Sequence, residues 1–110
     1  MASAFKTATG ANVGTSLTSV FTAPSGSTCT IIGLYLCNQS GGAIEANTVF
    51  YDASSTTNVN ITHNTPIQSG SSVAVIGGDA KVVLEAGDSI RIQSNVVNSI
   101  DVVLSYLEQT

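Results

Sequence analysis

His63 is the only histidine in the 110-residue chain, so it is the only imidazole on which a general base or a metal ligand can be built. A serine nucleophile needs such a base beside it and an acid behind it. Serines are abundant, and Asp52, Asp79, Asp88 and Asp101 can supply the acid. No serine sits in a GxSxG elbow, the strained turn that exposes a nucleophile of this kind. Sugar hydrolysis by two carboxylates needs acids that face each other across a cleft, and a chain with no Trp, three Tyr and three Phe has little to line one. EF-hand spacing, a CxxC pair, a Walker loop and GxGxxG are all missing. These residues predict no catalytic centre, no cofactor and no metal, and the chain is expected not to be an enzyme. His63 reads as a surface or strand-end residue.

The stretch LEAGDSIRI, residues 84 to 92, accompanies chemistry in one setting. Jelly-roll enzymes of the cupin type use a similar leucine, glycine and acid turn, but their metal is held by an HxH pair, a Glu and a further His. Here no HxH exists, so the turn is expected to act as a structural corner. Gly87 can take positive φ and Asp88 can bond the turn backbone. Leu84, Ile90 and Ile92 are expected to point inward, with Arg91 outward.

Cys29 and Cys37 lie eight residues apart in one expected strand. At ~3.3 Å per residue their Cα atoms are about 26 Å apart, beyond the ~7 Å that a disulfide can bridge. An intrachain disulfide is excluded, which leaves two buried thiols or pairing across a subunit contact.

Turn clusters recur at short intervals: PSGS at 24–27, QSGGA at 39–43, ASSTT at 53–57, QSGSS at 68–72, GGDA at 77–80, EAGD at 85–88 and SNVVNS at 94–99. Between them lie short runs rich in Val, Ile, Thr, Tyr and Phe. That rhythm predicts an all-β antiparallel sandwich, jelly-roll-like, of about eight strands. The strands are expected near 17–23, 28–38, 44–52, 57–63, 73–76, 80–85, 88–94 and 99–108. Residues 17–110 would form the sandwich, and residues 1–16 an N-terminal arm or an edge strand. Pro66 suits an edge strand or a crossing loop, and Pro24 with Gly26 suits a turn.

In the last strand Ile100, Val102, Leu104 and Tyr106 fall on one side, the core, while Asp101, Val103, Ser105 and Leu107 fall on the other. In TCTIIGLYLCN, Cys29, Ile31, Tyr35 and Cys37 alternate with Ile32, Leu34 and Leu36. Apolar residues on both sides of a strand require cover on both. Either the domain's own loops and N-terminal segment supply it, or a neighbouring subunit does. In the second case Phe5, Cys29, Cys37, Val103 and Leu107 are the candidate interface residues.

Only 9% of the residues are charged, against about a quarter in ordinary domains. The surface is therefore Ser, Thr, Asn, Gln and Gly, whose burial against a partner costs less than that of Lys or Glu. A net charge of −4 with just Lys6, Lys81 and Arg91 positive argues against nucleic acid. The start MASAFKTATG lacks the charged head and apolar core of a signal peptide. The longest apolar run, Ile31 to Leu36, is too short to cross a membrane. The expectation is a soluble protein made in a cytosol.

Three segments taken in order, TIIGLYLCNQSGG, TPIQSGSSVAVIGGDAKVVLEAGDSIRIQS and SIDVVLSYLE, resemble a family of small bacteriophage virion structural proteins, over roughly residues 28 to 108. The resemblance implies a capsid decoration or cement subunit that stabilises the shell, or alternatively a neck, tail or fibre-associated one. It also implies a homotrimer or other homo-oligomer, made in the bacterial host cytoplasm and resident in the virion. Its partners would be the major capsid protein or neck and tail proteins, and it brings no catalytic residues with it. The two cysteines depart from the family's pattern, which has apolar or small residues there. A reading from another class is a host-glycan-binding appendage whose site is the amide-rich loops.

Overall fold

A computed structural model describes residues 2–110, and they form nine strands. These are β1 (Ser3–Val13), β2 (Thr18–Thr22), β3 (Thr28–Asn38), β4 (Ile44–Asp52), β5 (Thr57–Ile67), β6 (Ser72–Ile76), β7 (Val82–Leu84), β8 (Ser89–Ser94) and β9 (Ile100–Gln109). The strands pair as a nested set, β4 with β5, β3 with β6 and β7, β2 with β8, and β1 with β9, all antiparallel. The nested ribbon is wrapped so that its pairs alternate between two sheets. One sheet runs β1-β9-β3-β6, with β7 also on β3, and the other runs β2-β8-β4-β5. This is the jelly-roll form of β-sandwich, which leaves each sheet only two edges.

Eight of the strands fall on the expected segments. The ninth is the N-terminal segment, which joins the sandwich as the edge strand β1 along β9 and does not reach away as an arm. Its small side chains suit that place, since Ala8 and Gly10 turn inward opposite Leu104 and Val102 with no bulk to accommodate. Pro66 lies near the end of β5, an edge strand, where a missing backbone donor is tolerated.

The core between the sheets is aliphatic. Ile31, Leu34, Leu36, Ile76, Leu84, Ile100, Val102 and Leu104 face Ile44, Ile67, Ile90 and Ile92 across it, and each such side chain stabilises the fold by about 1.5–3 kcal/mol relative to exposure. At one end the Phe21 and Tyr106 rings meet at 4.3 Å between centroids, tilted by 40°.

The alternation expected for β3 is corrected at one point. A register shift between Ile31 and Gly33 inserts Ile32 as a bulge. Because the side-chain period is two, one extra residue exchanges the faces beyond it. Cys29 and Ile31 therefore point inward together with Leu34 and Leu36, while Tyr35 and Cys37 point out.

The LEAGDSIRI corner adopts the expected form. Leu84, Ile90 and Ile92 are fully buried and Arg91 is outside. Gly87 takes φ +92, and a Cβ there would lie 3.2 Å from that of Ala53. The buried Asp88 carboxylate accepts from the backbone N–H of Glu85 and of Ala53, both at 3.0 Å, tying the corner to the β4–β5 connection. Backbone bonds between Ala23 and residues 87 and 88 tie it to the end of β2 as well. Asn38, also fully buried, uses both ends of its amide: Nδ2 donates to Gly42 O and Ile67 O, and Oδ1 accepts from Ser40. Thr48 Oγ1 is buried among the described residues with no hydrogen-bond partner.

Candidate interaction surface

The residues that raised the question of catalysis lie apart. His63 is exposed on β5 with Asn64 as its neighbour. Asp88 is committed to the corner, Asp52 caps its own turn through Ser54, and Asp101 accepts from the Asn12 N–H at 3.1 Å. Asp79 sits in the exposed β6–β7 turn. Among the described residues there is no cavity, and no group of three His, Cys, Asp or Glu is placed to hold a metal ion.

The outer faces of the two sheets differ in kind. On the five-stranded sheet the ladder registers set out cross-strand rows. Phe5, Leu107, Thr30 and Val83 form one row across β1, β9, β3 and β7. Thr9, Val103, Tyr35 and Ala74 form another across β1, β9, β3 and β6. Between them lie Thr7, Ser105 and Gly33. The Tyr35 ring leans over Gly33, where a Cβ would touch ring atom Cε2 at 3.4 Å. Phe5 is 76% exposed, Val83 54%, Tyr35 48% and Val103 46%. None of these rows holds a charged side chain; Asp101 lies one row further out, at the rim beside Cys37 and Ser72. With ~4.8 Å between strands and ~3.3 Å per residue the face covers roughly 600–800 Å², close to the ~800 Å² per partner of a standard-size interface.

On the four-stranded sheet the outward side chains bond one another. The Arg91 guanidinium lies 3.9 Å over the Tyr51 ring centroid and donates to Asn58 Oδ1 at 3.3 Å. Val49, its ladder partner, is buried. Asn47 donates to Gln93 Oε1, Gln93 donates to Thr15 O, and Asn47 Oδ1 accepts from the Asn64 N–H. Thr22 and Ser89 share a hydroxyl bond of 2.9 Å.

Four of the five candidate interface residues, Phe5, Leu107, Val103 and Cys37, therefore share the outer face of the five-stranded sheet. The fifth is corrected. Cys29 has 0% exposure and faces the core, because the Ile32 bulge places it on the opposite side from Cys37. It has no surface to give to a contact. Burial, with help from the Glu108 carboxylate, also pushes its thiol pKa up and holds it protonated. Tyr35 and Val83 belong to the face and were not among the candidates. Alternation groups Tyr35 with Cys37, and Gly33, a lone glycine inside a strand, was the signal of the bulge that takes Cys29 off that face.

No protein-family model matches the chain, and no curated protein matches it in sequence. Fold and surface define an all-β jelly-roll sandwich with one self-satisfied polar face and one nearly uncharged, partly apolar face.

Proposed function

We propose that this chain is a structural subunit of a bacteriophage virion, a decoration or cement protein that binds the outer capsid and stabilises the shell through repeated subunit contacts. The observation that carries this reading is the outer face of the five-stranded sheet, with exposed Phe5, Tyr35, Val83 and Val103 in register and charge confined to its rim. Patches of several hundred Å² on a soluble domain mark places where another surface docks. The low charge of the chain and its resemblance to small virion proteins point the same way. The fold by itself does not choose, because jelly rolls serve as shell, lectin and cupin domains alike.

In this reading the major capsid protein meets the five-stranded face. Binding displaces water from apolar rows and breaks few charge contacts, and many copies over a shell add the gain. Electron microscopy of purified particles tests it: density for this chain is expected on capsid hexamers or at their junctions. Density confined to the neck or tail assigns it to the alternative virion location, and its absence from particles overturns the proposal. A host-glycan appendage would bind through its amide-rich loops. Binding to a host polysaccharide by the isolated chain would favour that reading instead.

A further inference from the structure

The sandwich has four edges, and three are interrupted. β6 and β7 are short and divide one edge between them along β3. β5 carries Pro66, two register shifts against β4 and a positive φ at Asn64. β2 has five residues with a shift at Val20. Such interruptions are how β-proteins block pairing with further strands. β1 alone is long and regular, in unbroken register with β9 from Ser3 to Gly10.

Its free hydrogen-bonding groups can be assigned. Ala2 and Thr110 exchange both backbone bonds, at 3.3 and 2.9 Å. Antiparallel ladders alternate between bonded and non-bonded pairs, so Ala4, Lys6, Ala8 and Gly10 bond to β9. Ser3, Phe5, Thr7 and Thr9 then direct N–H and C=O away from the sheet, and all four are exposed. The one charge on the strand does not guard this edge, because the Lys6 ammonium is held by Glu108 at 2.6 Å.

We infer that β1 is a self-pairing edge, and that its partner is β1 of a second copy of this chain, antiparallel about a two-fold axis. Odd residues must pair with odd residues for the free groups to bond. Centring on Thr7 pairs Phe5 with the partner's Thr9, sets Lys6 opposite the partner's Ala8 and keeps Ala4 to Gly10 of both copies within the regular run. Centring on Lys6 would instead place two ammonium groups opposite one another, which opposes pairing. Roughly six new backbone bonds form, and the two five-stranded sheets become one continuous sheet. The buried area lies at the low end for specific contacts, so the pair should dissociate with a Kd of roughly 1–100 μM. The apolar outer faces stay free on the joined sheet. This pairing depends only on the chain itself and stands or falls separately from the shell-binding reading.

Sedimentation of the full chain across that concentration range is expected to move from one chain mass to two. Thr7→Pro removes an outward N–H and no β1–β9 bond. It should leave the melting temperature of dilute protein in place and weaken pairing at least ~30-fold. Hydrogen exchange on the unmodified chain gives an independent reading: the amides of Phe5, Thr7 and Thr9 should slow about tenfold on concentration, while those of Lys6, Ala8 and Gly10 stay slow throughout. One chain mass at every concentration, a trimer mass, or exchange at Phe5, Thr7 and Thr9 that ignores concentration would overturn the inference.

Discussion

The two sheets solve the problem of an outer face in opposite ways. The four-stranded sheet pairs its outward groups with one another: Arg91 lies on Tyr51 and bonds Asn58, and Asn47 links Gln93 to the Asn64 backbone. A docking partner would have to break those contacts before making its own. The five-stranded sheet leaves Phe5, Val83, Tyr35 and Val103 against water with small hydroxyl residues between them. A partner there gains apolar burial and replaces few bonds. The difference shows why low overall charge alone does not locate an interface: what separates the two faces is whether their polar groups are already satisfied.

The comparison can be broken by substitution. The largest effect is expected at the corner that anchors the four-stranded side. Asp88→Ala leaves the N–H groups of Glu85 and Ala53 without their acceptor, and denaturant titration should show a loss of about 2–4 kcal/mol. On the other face, under the proposed shell-binding role, Val103→Lys should lower binding to particles about 10- to 100-fold while changing unfolding free energy by less than about 0.5 kcal/mol. Asn60→Lys, the matched change at an exposed position of the four-stranded face opposite Val49, should alter neither, and equal losses from both would end the distinction. Within the core side of β4, Thr48→Val removes a buried hydroxyl that has no partner and is expected to stabilise the chain by about 1 kcal/mol. Arg91→Ala takes away the cation over Tyr51 and should cost about 0.5–1 kcal/mol in the same titration, where no change would mean the polar face is not held by this stack.

The smallest effect concerns pH. Hydrogen bonds from Ser54 hold the Asp52 carboxyl below its ordinary value of 3.8. A depressed folded-state pKa contributes stability that is present above the unfolded pKa and lost as pH falls through the folded one. The stability difference between the native chain and Asp52→Asn should therefore be level above about pH 5 and shrink below pH 4. A difference that grows in acid would reverse the assignment.

Most of the strand pattern was legible because turn residues and alternating apolar runs are local signals. PSGS, QSGSS and EAGD each fall where the chain turns, and Ile100, Val102, Leu104 and Tyr106 are inside as their spacing requires. The candidate interaction face was half legible. Val103 and Leu107 stood out as apolar residues on the wrong side of β9, and Phe5 as a lone large side chain in a small-residue segment. Strict alternation through β3 put Cys29 on one face with Tyr35 and Cys37; the residue inserted at Ile32 splits that group, sending Cys29 to the core, as the buried-thiol reading had it, and leaving Tyr35 and Cys37 outside.

The sequence by itself determined an all-β chain, its turns, the inward set of each strand up to a bulge, and the absence of the residue groupings that histidine-based chemistry requires. Those features depend on neighbours a few positions away. Only the tertiary structure decided which strands share a sheet, that the N-terminal segment closes one edge along β9, and that Phe5, Leu107, Thr30 and Val83 align across four strands. Such an alignment joins residues about a hundred positions apart, and it is set by ladder register and by one bulge, both of which depend on how the whole ribbon wraps around its core.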